Sequence, residues 1–374
     1  MLTKKRTPMI SKVQLIEELN IQAKPKKAII QEIQNSPLPL VLYGNGDYGT
    51  IIFKFLISLN IKVSAICIDR KFILSENKEW NGIPIVATED ISQMFEEFNV
   101  VLGLTQYILP EKKMKEIAQC INIYFLDTTL SIDFFNLNFI NENLDLFYET
   151  YSYMADDNSK STFVGFINGK LSTRPNVFDL VDPNQYFPEG IIVLSPDEVF
   201  VDAGAYIGDT LFEFINHSNG NYNTYYALEP DIDSYTKLCA YIKENNFSDI
   251  VTCNKGAWYE KQTLRFSSDI EHMQRSSVSQ SGQFTIDVDS IDNILQNKRA
   301  TFIKMDIEGA ELAALEGAKG TIIKYKPKLA ICVYHKPEDL ITIPQYIKKL
   351  CPDYKFYLRQ HLPITQELVL YAVI

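Results

Sequence analysis

A strand that runs into a glycine turn and on into a helix constrains this chain most, and the pattern occurs twice. Residues 43–49 read YGNGDYG and residues 199–210 read VFVDAGAYIGDT. In both, an apolar run is broken by glycines and followed by an amphipathic stretch, and further strands and helices alternate downstream. Such alternation predicts doubly wound parallel sheets. The chain therefore divides into a polar helical segment (1–36), a first Rossmann-like domain (37–130), a linker and cap region (131–195) rich in aromatic and polar residues, and a second αβ domain (196–374). The last two strand-like runs, YKFYLRQH and ELVLYAVI, suit a terminal hairpin, so the second sheet is expected to carry one antiparallel strand near an edge.

The second turn carries the more specific chemistry. Its spacing is D-x-G-x-x-x-G, with Asp202, Gly204 and Gly208, instead of the G-x-G-x-x-G of a pyrophosphate cradle. Gly204 permits a sharp turn and close approach of a ligand, and Gly208 allows the helix to pack on the strand. Tyr206, Asp209 and Thr210 complete the turn and the helix start. An acid at the strand end favours a ligand with a cationic group. Glu229, twenty-seven residues after Asp202, ends the next strand in YALEPD, where a carboxylate can accept both hydroxyls of a ribose. Gly256, Ala257 and Trp258 follow the third strand and are expected beside an adenine. A ribose, an adenine and a cationic amino-acid tail together describe S-adenosylmethionine.

FVDAGAYIGDT, ALEPD, NKGAW, TFIKMDIEGAELAALEGA and the ending YHKPEDL…YKFYLRQH resemble the FkbM family of S-adenosylmethionine-dependent methyltransferases over about residues 186–374. The resemblance implies the seven-stranded class I methyltransferase fold and, most often, O-methylation of a sugar or glycan precursor, such as a nucleotide-activated sugar or a capsule or lipopolysaccharide intermediate.

A sugar hydroxyl is a poor nucleophile at neutral pH, so a general base is wanted at the C-terminal ends of the strands. Asp306 ends TFIKMD and His335 ends LAICVYH, on strands expected to be neighbours. His335 is the expected base, because an imidazole titrates near neutrality, and Asp306 is expected to orient it or bind the acceptor. Glu308 and Glu311 open the next helix. They suit compensation of its dipole, contact with the acceptor or, with Asp306, a Mg²⁺ site; no neat ligand spacing specifies a metal, and none is assigned. Arg359 and His361, at the end of YKFYLRQH, are candidate contacts to an anionic or hydroxyl-rich acceptor. The polar loop 267–283, with His272 and Arg275, is a candidate lid.

In the first turn Gly44, Gly46 and Gly49 form G-x-G-x-x-G after a strand, and Asp69 ends the next. A nucleotide of a sugar-nucleotide acceptor, a relic fold that shapes the cleft, and an NAD site are the uses weighed, NAD last because residues 70–130 offer no dehydrogenase constellation. The formal net charge of −11 argues against a nucleic-acid partner. The six cysteines form no C-x-x-C pair, the basic N-terminus lacks the apolar stretch of a signal peptide, and no run approaches ~18 apolar residues. A cytoplasmic enzyme acting on a small molecule is the reading, with homo-oligomerisation left open. Its rivals are a non-catalytic sugar-nucleotide-binding or assembly subunit, and an N- or carboxyl-methyltransferase.

Overall fold

The computed structural model describes residues 11–19, 24, 26–73, 79–104, 108–126, 136–172, 181–267, 277–278, 284–362 and 365–374. The fold is mixed α/β with largely parallel sheets, as the alternation predicts.

The first αβ series comprises α1 (Lys12–Glu18), α2 (Lys26–Asn35), β1 (Leu40–Tyr43), α3 (Asp47–Ser58), β2 (Ala65–Ile68), β3 (Glu79–Trp80), β4 (Ile83–Ala87), α4 (Ile91–Met94), β5 (Phe98–Leu102), α5 (Ile108–Lys115) and β6 (Cys120–Tyr124). Its strands form a six-stranded sheet in the order β3-β4-β2-β1-β5-β6, antiparallel only between β3 and β4. β1, β2 and β5 are buried along their whole length, which is why β1 and β2 read as unbroken apolar runs and β5 departs from one only at Asn99.

Three helices follow, α6 (Leu137–Glu142), α7 (Leu144–Tyr153) and α8 (Asp157–Ser172). The second αβ series then runs through β7 (Val199–Ala203), α9 (Asp209–Ser218), β8 (Thr224–Leu228), α10 (Ile232–Glu244), β9 (Ile250–Cys253), β10 (Gly256–Ala257), β11 (Gln262–Ser267), β12 (Ser277–Val278), β13 (Phe284–Asp289) and α11 (Ile291–Leu295). It ends with β14 (Phe302–Met305), α12 (Glu311–Gly317), α13 (Lys319–Tyr325), β15 (Lys328–Cys332), α14 (Asp339–Leu350), β16 (Lys355–Gln360) and β17 (Leu368–Val373). A seven-stranded sheet has the order β16-β17-β15-β14-β7-β8-β9, with β17 antiparallel to both neighbours. A small sheet, β10-β13-β11-β12, lies beside it. No described helix is long and apolar enough to cross a membrane.

The described residues 136–172 and 181–182 of the expected linker and cap region pack onto the second αβ series. Phe147, Tyr151, Phe163, Phe166 and Ile167 join the same buried cluster as Ile303, Leu329 and Leu370 of the seven-stranded sheet, and Leu15 and Leu19 around α1 join it too. Met154 and Val181 bridge to Phe356 and Gln360 of the edge strand β16, and Ser159 Oγ accepts a hydrogen bond from Leu358 N at 3.0 Å. Arg359 closes this seam by donating Nη2 to Asp156 Oδ2 at 2.6 Å and Nη1 to Ser159 Oγ at 2.9 Å. Its side chain is 8% exposed, so truncating Asp156 strands a buried guanidinium. Asp156→Ala is expected to lower stability by about 2–3 kcal/mol, measured by urea denaturation.

Candidate active site

The ends of β7 and β14 meet at Gly204. Its φ is +87°, and a Cβ there would lie 2.0 Å from the Asp306 carbonyl oxygen, so only glycine fits. Asp306 N donates to Ala203 O at 3.1 Å, which ties the two strand ends together.

Of the two contacts expected for the amino-acid end of the ligand, Asp202 or a neighbouring backbone group, Asp202 is turned inward. It is fully buried, Tyr225 Oη donates to it, and Lys304 Nζ of β14 lies 3.0 Å away. Burial opposes the Lys304 charge, but Asp202, then Asp306, raise its pKa and keep it protonated. Lys304 also donates to Gly204 O at 2.8 Å. Asp202 therefore braces the turn from inside the fold and has no free face for the amino-acid end of a ligand.

Glu229 does face the turn. Tyr206 N and Asp231 N each donate to one of its carboxylate oxygens at 2.8 Å, which fixes its orientation and leaves further acceptor sites. Tyr206 adopts φ +46° and is 56% exposed, and Asp209 is exposed in the first turn of α9, where Thr210 is buried. Gly208 is needed for another contact than the one expected. A Cβ there would meet the Tyr241 ring at 2.8 Å, so it makes room for α10 instead of for β7. Gly256 and Ala257 are buried against β13, Trp258 N donates to Asp289 O, and the Trp258 and Tyr259 ring centroids lie 5.5 Å apart.

Asp306 and His335 come together on the neighbouring strands β14 and β15, with His335 Nε2 3.4 Å from Asp306 Oδ1 and 3.7 Å from Glu308 Oε2. On its other side Nδ1 lies 2.9 Å from Glu311 Oε1, which also accepts Ile307 N at 3.0 Å. Burial opposes the imidazolium, but Glu311 first, then Asp306 and Glu308, lift His335 to about 10. The surrounding carboxylates thus favour the imidazolium over the neutral ring that a general base needs. Enclosure raises Glu308 to about 7, His335 opposing and Asp306 and Glu311 adding to the rise. Glu308 adopts φ +56°, ahead of Gly309 at +92°, and its side chain is 46% exposed against 23% for Asp306. A non-glycine residue held in the left-handed region is a strained position of the kind that gathers at functional sites.

Arg359 and His361 are not brought to this cluster. Arg359 is bound to Asp156. His361, 7% exposed, donates Nδ1–H to Asp182 O at 2.7 Å and accepts at Nε2 from Tyr371 Oη at 2.8 Å; burial lowers its pKa, which favours this neutral form. The connection to the site is indirect. Tyr186 N donates to Tyr371 Oη at 3.0 Å, and Tyr186 Oη donates to Asp306 Oδ2 at 2.8 Å. Tyr186, with φ +66° and Lys304 Nζ 5.0 Å from its ring centre, is a site residue absent from the sequence reading, as are Lys304, Tyr225 and Glu367. Glu367 accepts from Tyr334 Oη and Gln185 Nε2 at the rim of the cluster. His272 and Arg275 lie outside the described residues.

In the first glycine turn, a Cβ at Gly49 would lie 2.4 Å from Gly44 O, so α3 packs tightly on β1. Both Asp69 oxygens are engaged, one by Tyr43 Oη (2.5 Å) and Thr88 Oγ1 (3.1 Å), the other by Lys113 Nζ (2.5 Å). A cavity of about 490 Å³ lies at the N-terminal ends of the second sheet's strands, lined by Arg299, Lys328 and Lys355 among others, away from the Asp306 cluster.

Parallel strands whose C-terminal ends hold a glycine turn and a strand-end carboxylate define a Rossmann-like α/β protein of the kind that methyltransferases use. Residues 202–359 match the family model described as the methyltransferase FkbM domain, and this match indicates a methyltransferase. Methyltransferase FkbM from Methylobacillus flagellatus KT has a similar structure, with a TM-score of 0.75 at 24% identity over 96% of this chain and 98% of that one. An rRNA methylase from Streptococcus thermophilus (TM-score 0.32, 14% identity, 48% of this chain and 87% of that one) also aligns. So does SMU.1697c, a putative methyltransferase from Streptococcus mutans in complex with SAH (0.31, 15%, 49% and 92%). A search of curated proteins found no match.

Proposed function

We propose that this protein is an S-adenosylmethionine-dependent O-methyltransferase acting on a hydroxyl of a sugar, either nucleotide-activated or part of a surface-glycan precursor. The junction of Gly204 with Asp306 carries this reading, because it sets a ribose-type carboxylate site beside a carboxylate–imidazole cluster on adjoining strand ends. Glu229 accepts the ribose hydroxyls, the backbone from Gly204 to Gly208 follows the amino-acid portion, and Gly256, Ala257 and Trp258 flank the adenine. The donor supplies an activated methyl group. The acceptor oxygen attacks the methyl carbon in line as the carbon–sulfur bond breaks, its electron pair staying on sulfur to leave S-adenosylhomocysteine. Glu308, the exposed carboxylate of the cluster, takes the hydroxyl proton, while Asp306 and His335 position the acceptor. The crowded carboxylates favour an uncharged, hydroxyl-rich group at the reacting centre over an anionic one.

Calorimetry with S-adenosylhomocysteine tests the donor site. Glu229→Ala is expected to weaken binding about tenfold to a hundredfold, the worth of charge-assisted hydrogen bonds to the ribose. Unchanged affinity would sink the assignment. A panel of nucleotide-activated sugars, read by mass spectrometry for the gain of one methyl group, tests the acceptor class.

A further inference from the structure

We propose that Asp306, Glu311 and His335 bind a divalent first-row transition-metal ion at the mouth of the crevice. The three residues come from two neighbouring strand ends and the helix between them, and each offers one ligand atom within 4.8 Å of the others. Bonds of roughly 2.0–2.2 Å allow two ligands of one ion to stand up to about 4.2 Å apart, so small side-chain movements bring all three onto a common centre.

The imidazole supplies an independent observation. His335 has 8% of its side chain exposed, yet neither ring nitrogen makes an aligned hydrogen bond, although carboxylate oxygens lie 2.9, 3.4 and 3.7 Å from them. Glu311 Oε2, in a residue with no exposure at all, also lacks a partner. Buried polar atoms are nearly always satisfied, and a ring packed among carboxylates without donating to them has the arrangement of a ligand set awaiting its ion. Three carboxylates around one imidazole also leave a negative excess that a dication offsets. A mixed imidazole and carboxylate set suits manganese, iron or zinc better than magnesium or calcium. Tyr186, which donates to Asp306 Oδ2, and Ile307 N, which donates to Glu311 Oε1, form the outer hydrogen bonds that orient such ligands. Glu308, 46% exposed, lies 3.7 Å from His335 Nε2 on the solvent side of these three residues.

The ion's chemical use rests on the methyl-transfer reading: an acceptor hydroxyl bound to it would release its proton to Glu308 more readily. Its existence does not. Full-length protein stripped with EDTA and titrated with MnCl₂ alone, followed by calorimetry and by the Mn²⁺ paramagnetic resonance signal, is expected to bind one ion per chain. Asp306→Asn and His335→Gln should each weaken binding at least tenfold, while Asp353→Asn, on the distant surface, should not. Circular dichroism establishes that each variant is folded, and Glu311→Gln replaces any that is not. Absence of saturable binding, or equal binding by the wild type and the folded variants, overturns the proposal. S-adenosylhomocysteine affinity measured on the stripped protein separates this result from failure of the donor site.

Discussion

Gly204→Ala is expected to lower affinity for S-adenosylhomocysteine more than about a hundredfold and to destabilise the fold by about 3 kcal/mol. Two effects add. A φ of +87° is strained for alanine, and the new Cβ would stand 2.0 Å from a backbone carbonyl that cannot rotate away. Relief requires β14 to withdraw from β7, breaking the Asp306 N to Ala203 O hydrogen bond and carrying Asp306 away from the turn. Calorimetry and thermal melts read the two effects separately. Wild-type affinity in a folded variant would show that the strand junction does not build the donor site.

Glu308→Gln is expected to reduce kcat about 10²- to 10⁴-fold, the usual worth of a general base, with donor affinity unchanged. Glutamine keeps the shape and the backbone strain and removes only the proton acceptor. Glu308→Gly should be equally slow yet no less stable, because glycine adopts a φ of +56° without strain. Steady-state rates with an acceptor from the sugar panel, together with melting curves, check both variants. Undiminished turnover in Glu308→Gln would remove it from the reaction.

What could be read from the chain was whatever lies within one strand–turn–helix unit. The apolar runs gave away β1, β7 and β14, and the polar residues following β8, β14 and β15 marked Glu229, Asp306 and His335. Burial partners across the sheet could not be read. Asp202 looks like a ligand contact until Lys304, a hundred residues later, is found paired with it from the next strand. Gly208 suggested helix-on-strand packing because the contact that needs it, Tyr241, lies on another helix. Arg359 and His361 resemble an exposed strand end until Asp156, Ser159 and Asp182, from the linker and cap region, are found bonded to them. Tyr186 carries no motif at all; its left-handed backbone and its hydrogen bond to Tyr371 are tertiary features.

The strap laid over β16 also bears on self-association. Met154, Ala155, Val181 and Asp182 take up backbone groups that an outermost strand would otherwise present to a neighbour. A second copy cannot lengthen the large sheet on that flank without peeling off the strap and exposing Arg359. Any pairing that lengthens the seven-stranded sheet must therefore use its opposite border at β9, and ribbon-like stacking is opposed at the flank beside β16.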